Sequence, residues 1–356
     1  MRVLHVAESI KGGCGTYLDE LVPVQIADPT IKAVRVLVPQ AHAGQLVAIP
    51  AAQIRTFPHP VRSLRALAAL LGTLHEEMAT FKPDVVHLHS TFAGLLGRPL
   101  LALRPKRFRV VYCAHGWAFD MRRASWKLKI MKLAERLLAP FADRIVAISD
   151  YERRSGLEAG IAPARLVTVL NGLADQDPPP ALQSDGRLRL LFVGRLDFQK
   201  GYDVLLEAVE GLGDRLDVRL VGASVVGDQA VERVLPSHVT ALGWCSADKI
   251  RRELAAADLV VVPSRWEGFG LVALEAMRAG RAVLASRVGG LPEVVNDGVT
   301  GRLVAPGDAS ALRAALLDFD APTTRRMGEA GRARFLAHFT IAQTAQRIRD
   351  VYHAGA

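Results

Sequence analysis

Short apolar segments alternate with longer amphipathic ones along this chain, and the alternation begins again after three consecutive prolines. Residues 3–7, 33–38, 85–89, 110–114, 144–148 and 166–169 have the length and composition of strands, with helical spacing at 17–26, 61–80 and 126–138 between them. Strands this short and apolar need cover on both faces, which a parallel sheet with crossover helices provides. "LADQDPPPALQSDGR", opening at Leu173, is polar and proline-rich and reads as a linker over 173–186. Beyond it "LRLLFVG", "DVRLVG", "ADLVVVPS" and "AVLAS" read as strands, 202–209 and 309–317 as helices, and 341–352 as a closing helix. At 356 residues the chain is more than twice the roughly 150 of a single domain. The expected architecture is α/β: two doubly wound domains, 1–172 and 187–339, joined by the linker. Ligands of such sheets bind at the carboxyl ends of the strands, and those ends should face a shared cleft.

Charge is divided unevenly. Residues 1–170 carry a net charge of +10 and the remainder −1, which sum to the formal +9 of the chain. A basic first half calls for an anionic partner there: a membrane surface, nucleic acid or a phosphorylated substrate. No apolar run reaches the roughly 18 residues of a membrane-spanning helix. "MRVLHVAESI" lacks the features of a signal peptide, so the protein is expected to stay in the compartment where it is made. Cys14, Cys113 and Cys245 form no CxxC or zinc pattern and fit small buried residues in a reducing setting.

Five stretches at expected strand ends carry candidate chemistry. "KGGCGTY", with Gly12 and Gly13, opens a helix where backbone amides can approach a phosphate, although a plain tight turn uses glycine as well. It is not a complete GxGxxG, because Leu18 holds the last position. "CAHGWAF" puts His115 at a strand terminus. "FVGRLDFQKG" sets Arg195 and Lys200 between Gly194 and Gly201, two cations suited to a diphosphate. "VPSRWEGFGLVALEA" runs from a strand through Glu267 and a Gly-Phe-Gly turn into a helix that carries Glu275. The helix start favours an anion, and the two carboxylates can accept bonds from sugar hydroxyls; alternatively they are structural partners of arginines. "SRVGGLPEVVNDGVTGRLVAPGD" is a glycine-rich loop region in which half or more of the glycines are expected to serve as turns. Loops near Gly222 and Gly243-Trp244 are expected to meet a nucleotide base.

Taken in order, these stretches resemble a retaining glycosyltransferase of the GT-B fold, in the E-x7-E group (glycosyltransferase family 4-like). The resemblance rests on Gly12-Gly13, His115-Gly116, Ser149, Asn171-Gly172, the run from Gly194 to Gly201, the run from Pro263 to Gly270, Gly289 to Glu293, and the pair Glu267 and Glu275. It implies two Rossmann-like domains, a nucleotide-sugar donor in the second, and a final helix over 340–356 that returns to the first. It also implies roles. Glu275 would bond the donor ribose. Glu267, with the amides of Phe269, Gly270 and Leu271 and the neighbouring Val272, would hold the sugar and diphosphate. Arg195 and Lys200 would neutralise the leaving group, with Gly194 and Gly243 lining the donor site. Gly12 and Gly13 would approach the phosphate or acceptor, and His115 would sit beside the sugar. The transfer would proceed with retention by same-side attack, releasing a diphosphate whose developing charge the cations stabilise. No metal and no further cofactor is required; "DQD" at Asp175 to Asp177 lies in the linker, not at a strand end, and is read as a chance match to a metal motif.

The basic first half contains "MRRASWKLKIMKLAERLLAPF", in which Arg122, Arg123, Lys127, Lys129, Lys132 and Arg136 alternate with Trp126, Leu128, Ile130, Met131, Leu133 and Leu137. This pattern suits an amphipathic helix on an anionic membrane, or a solvated helix face. The cations of "RPLLALRPKRFR" at 98–109 add to it. The combined expectation is a cytoplasmic enzyme, peripheral on the inner face of the membrane. It would move a hexosyl group from a UDP- or GDP-linked sugar to a lipid-linked or polysaccharide acceptor of a bacterial cell surface. A sugar-nucleotide epimerase and a non-catalytic anion- or nucleotide-binding protein are the alternatives. Nucleic acid is not an expected partner, since no nucleic-acid motif and few aromatics are present.

Overall fold

A computed structural model of the protein describes residues 1–58, 63–105, 107–121, 125–177, 186–223 and 235–354. The expected helix start at 61–62, Lys106, Arg122, Arg123 and the three prolines of the linker lie outside the described residues. The chain divides into two compact units: Met1–Ala174 with Ile341–Ala356, and Asp175–Thr340.

The first unit contains β1 (Arg2–Ala7), α1 (Gly13–Ala27), β2 (Ala33–Pro39), β3 (Ile54–Phe57), α2 (Leu64–Thr80), β4 (Val85–His89), α3 (Thr91–Ala102), β5 (Arg109–Cys113), α4 (Ser125–Leu138), β6 (Arg144–Ala147), α5 (Asp150–Glu158) and β7 (Leu166–Thr168). All seven strands are parallel, in the order β3-β2-β1-β4-β5-β6-β7. The second unit contains β8 (Leu188–Val193), α6 (Tyr202–Val209), β9 (Leu216–Val221), β10 (Val239–Gly243), α7 (Ala247–Ala256), β11 (Leu259–Val262), α8 (Leu271–Arg278), β12 (Ala282–Ser286), α9 (Leu291–Val294), β13 (Gly301–Val304), α10 (Ala309–Leu317) and α11 (Ala321–His338). Its six parallel strands follow the order β10-β9-β8-β11-β12-β13. The strand order reverses beside β1 and again beside β8. Those two places are the switch points where such sheets bind ligands.

The last helix, α12 (Ile341–His353), belongs to the first unit. Ile341 donates its amide to the Leu173 carbonyl at 2.8 Å, and Thr344 its hydroxyl to the Leu170 carbonyl at 2.9 Å. Arg349 pairs with Asp28 at 2.7 Å. At the inner end Tyr352 is buried against α1 and β4, with its hydroxyl between Gln25 and His87.

Helix starts differ in their caps; α3 and the short α9 begin after Ser90 and Gly290 without a side-chain cap. α2, α5, α7, α10 and α11 are capped by the side chains of Ser63, Ser149, Ser246, Asp308 and Asp320, each accepting a first-turn amide. α1, α6 and α8 start after Gly12, Gly201 and Gly270 with no side-chain cap. These three follow β1, β8 and β11, so their uncapped amides lie at the switch points.

The basic segments differ from expectation in one respect. Arg98, one of the cations expected to add to the membrane-facing surface, is fully buried. Its guanidinium meets Glu135 at 2.7 Å and the Gly94 carbonyl at 2.8 Å, and it lies 4.1 Å from the Tyr112 ring centre. A cation with that set of partners is part of the core that joins α3 to α4.

Candidate functional site

At the second unit's switch point, the loop after β8 is built around Asp197. One of its carboxylate oxygens accepts the Lys200 amide at 2.9 Å, and the other faces Arg195 Nε at 2.8 Å. Arg195 also donates to Gln199 at 2.6 Å. Gln199 ties this loop to the one after β11: its carbonyl accepts the Arg265 amide at 2.8 Å, and its side chain donates to the Trp266 carbonyl at 3.3 Å. Gly201, in a left-handed conformation (φ 67°), lets the first loop touch the second, since a Cβ there would stand 2.0 Å from the Pro263 carbonyl oxygen.

Lys200 Nζ lies 2.5 Å from Glu267 Oε2, and Ser264 donates to the same oxygen at 3.4 Å. Glu267, expected to meet sugar hydroxyls, is half-buried and ion-paired with Lys200. A carboxylate drawn out of water beside an ammonium is stabilised by it, so the pair forms before any ligand arrives. The first amides of α8 open beside this pair, after Gly270. Gly194, Arg195, Lys200, Glu267 and Gly270 are therefore brought together. Gly222 and Gly243 join them through the sheet edge, where the Gly222 amide donates to the Gly243 carbonyl at 2.9 Å. The Phe269 ring turns inward and packs on Phe339 with centres 6.1 Å apart, so only its backbone faces the loop. Leu271, Val272 and Glu275 share one face of α8. Glu275 lines a groove of about 510 Å³ between α7 and α8, with Arg251, Arg252 and Arg278.

One glycine of the turn-rich run is committed to this site. Gly289 has φ 55°, and a Cβ on it would lie 1.6 Å from the Glu267 carbonyl oxygen, whereas one on Gly298 would meet open space. Gly289→Ala is expected to destabilise the second unit by more than about 2 kcal/mol, and Gly298→Ala by only the left-handed penalty of about 1–2 kcal/mol. Denaturant midpoints of the two variants check this. Equal, small losses would remove Gly289 from the site's support.

In the first unit, His115 lies two residues beyond β5 with φ 55°, and its ring stands edge-on to Tyr17 at 4.8 Å. Its Nε2 is 2.9 Å from His89 Nδ1. Burial lowers its pKa to about 3, so the ring is neutral. Gly12 and Gly13 lie at the uncapped start of α1.

Two carboxylates that the sequence reading passed over organise this end of the sheet. Glu152 accepts the Gly116 and Ile148 amides, both at 2.6 Å, and so fixes the turn that carries His115. Burial raises its pKa to about 7. The signal was present as Ser149-x-x-Glu152, a capping-box spacing, and Ser149 does cap α5. Glu8 accepts from Ser90 and from the Ala93 amide at the start of α3.

The strand order repeated in both units, with open helix starts at the switch points, defines a doubly wound α/β protein of two sheets whose ligands are expected at those ends. Comparison with known families narrows it. Residues 12–172 match the family model "Glycosyl transferase 4-like domain" and residues 187–319 match "Glycosyl transferases group 1". The chain is 33% identical over 325 residues to an uncharacterized 41.2 kDa protein in the cps region of Klebsiella pneumoniae, covering 87% of each. It is 34% identical over 319 residues to a D-inositol 3-phosphate glycosyltransferase of Thermobispora bispora, covering 80% of this chain and 74% of that protein. The crystal structure of Anabaena Alr3699/HepE in complex with UDP-glucose superposes with a TM-score of 0.82 at 22% identity, over 99% of this chain and 100% of that one. The chain belongs to the group 1, 4-like glycosyltransferases and has the GT-B fold.

Proposed function

We propose that this glycosyltransferase moves a hexosyl group, with retention, from a UDP- or GDP-linked sugar to a lipid-linked or polysaccharide acceptor in bacterial cell-surface glycan synthesis. The observation that carries the reading is the Lys200–Glu267 pair beside the uncapped start of α8, at the switch point of the second unit. A diphosphate brings negative charge that Lys200, Arg195 and the first amides of α8 can meet together. As the anomeric bond breaks, the charge on the leaving oxygen grows, and donors already in place stabilise it at no reorganisation cost. In this reading Glu267 holds the ammonium and a sugar hydroxyl, Glu275 takes the ribose diol, and His115 with the Gly12-Gly13 turn serves the sugar and acceptor. The chemistry needs no metal, because lysine, arginine and helix amides fill the role of a Lewis acid. The acceptor class is supported by the relative in a capsule region. Incubation with radiolabelled nucleotide sugars and a lipid fraction, followed by NMR of the product's anomeric centre, tests the proposal. An inverted anomer would remove retention; label that never leaves the nucleotide would favour a binding protein.

The membrane part of this reading rests on α4. Leu128 and Met131 pack on the core, while Trp126, Ile130, Leu133 and Leu137 are each more than half exposed, spaced along one side of the helix. Lys127, Lys129 and Arg136 are exposed on the same helix. Among the described residues no helix is long and apolar enough to cross a membrane. The protein is expected to bind anionic vesicles at low salt and release them at high salt. Ile130→Asp should weaken that binding about tenfold or more, by loss of one buried aliphatic side chain. Vesicle pelleting reads both effects, and equal pelleting with neutral and anionic lipid would contradict them.

A further inference from the structure

Four histidines of the first unit, three on the adjacent strands β1 and β4 and one in the turn after β5, form a connected network that the proposed chemistry does not yet use. His115 Nε2 lies 2.9 Å from His89 Nδ1. His89 Nε2 lies 2.9 Å from His5 Nδ1, and His5 Nε2 lies 2.7 Å from Gln25 Oε1. Gln25 Nε2 donates to the Tyr352 hydroxyl at 3.4 Å, and that hydroxyl is 2.8 Å from His87 Nδ1. Every group from Gln25 to His89 is buried.

We propose that Gln25, on α1, sets the ring tautomer of His115 through His5 and His89, and so decides whether His115 offers its ligand a hydrogen-bond acceptor or a donor. The proposal rests on the assignment of His115 to the sugar made above. A neutral imidazole has one N–H and one bare nitrogen, so rings bonded in series all take the same sense. The Gln25 oxygen can only accept, which puts the His5 proton on Nε2 and leaves Nδ1 bare. His89 must then donate from Nε2 and accept at Nδ1. His115 must donate from Nε2, and its Nδ1 is left as an acceptor. A sugar hydroxyl is matched by that acceptor.

Two further observations support the series, and a third names its rival. The rings are neutral: burial lowers His5 to about 4 and His115 to about 3, and holds His87 and His89 well below the ordinary value. A protonated ring would set two N–H groups against each other within the row. Tyr352 steadies the amide end, since it accepts from Gln25 and can donate to His87 Nδ1. That gives α12 a part in the row as well as in packing. Finally, a ring nitrogen of each of His5, His87 and His89 lies within 4.8 Å of the others. A first-row metal would need each nitrogen at about 2.0–2.1 Å. Two nitrogens on one such metal would stand about 2.9–3.4 Å apart, so the 2.9 Å contact between His5 and His89 fits a shared metal as well as a hydrogen bond, and the spectroscopy below separates the two. Gln25 is thus a positioning residue, acting through two rings on a third.

The test is long-range 1H–15N spectroscopy of histidine-labelled protein at neutral pH, assigned with His115→Gln. The wild type is expected to show His115 wholly as the Nε2–H tautomer, with scalar couplings across the His115–His89 and His89–His5 hydrogen bonds. Gln25→Leu removes the acceptor and should release that tautomer to a mixture. An unchanged His115 in folded Gln25→Leu would overturn the proposal, as would absent couplings, a protonated His115 or metal-bound nitrogens in the wild type. The wild-type couplings decide the matter should Gln25→Leu not fold. Donor turnover separates the two readings. If the tautomer shifts in Gln25→Leu while kcat and KM do not move, the row stands and the role given to His115 fails.

Discussion

Replacing Lys200 by methionine is expected to slow release of nucleotide diphosphate by about a hundred- to a thousandfold, the usual effect of removing one preorganised stabiliser of developing charge. Methionine keeps most of the apolar stem, so the loop after β8 should retain its packing against Gly194. What it lacks is the ammonium that Glu267 holds at 2.5 Å. The loss should fall on kcat, because the charge on the leaving oxygen is greatest in the transition state. Glu267→Ala should act in the same direction, since it frees Lys200 from its position and removes a hydroxyl acceptor. Glu275→Ala should act differently. It lies one to two turns further along α8, in the groove with Arg278, and its loss is expected to raise the donor KM. Steady-state kinetics on the three variants check the division. Unchanged kinetics in Lys200→Met would dismiss the assignment of charge stabilisation.

Acidification should destabilise the first unit steeply. His5, His87, His89 and His115 all have folded pKa values lowered by burial, to about 4 for His5 and about 3 for His115. Between those values and the ordinary 6.5, the unfolded chain binds protons that the folded chain refuses. Their contribution is therefore complete above pH 6.5 and is lost as pH falls through the folded values. Glu152 works in the opposite sense. Its folded pKa is raised to about 7, so its contribution is complete below 4.5 and is lost as pH rises. Glu8, also raised by burial, adds to that opposition. The four histidines outnumber the two carboxylates, so unfolding takes up protons on balance as the pH falls below 6.5, and stability falls with it. Hydrogen exchange of the β1, β4 and β5 amides at pH 7.5 and 5.5 measures it, after correction for intrinsic rates. Equal protection at both pH values would contradict a neutral buried row.

The doubly wound plan was legible because most of its central strands are apolar on both faces. Residues 85–89 and 282–286 are strands from end to end as expected, and 202–209 and 309–317 are helices to the residue. What escaped notice lies where that signal is diluted. β10 is an edge strand whose middle residues are largely exposed, so it shows no apolar run. α3 contains Gly94, Gly97 and Pro99 and reads as a loop; tertiary packing against Tyr112 and Leu88 holds it helical. α11 carries two glycines and five arginines or histidines, and its first turn depends on the Asp320 cap. Within the candidate site, residue types and their order placed Arg195, Lys200, Glu267 and Gly270 at strand ends. They did not reveal that Lys200 and Glu267 pair with each other, because 67 positions separate them and only the pairing of β8 with β11 brings them together. The histidine row escaped for the same reason. His5, His87 and His89 each occupy a strand with ordinary apolar neighbours, and no local pattern sets them apart.

The central claim is that the switch point of the second unit cleaves a nucleotide sugar. The most direct measurement is diphosphate release from a panel of UDP- and GDP-linked hexoses, with a lipid acceptor fraction, by the wild type and Lys200→Met side by side. The account predicts release by the wild type with at least one donor and a loss of a hundredfold or more in the variant. No release with any donor, or equal release by both proteins, would contradict it.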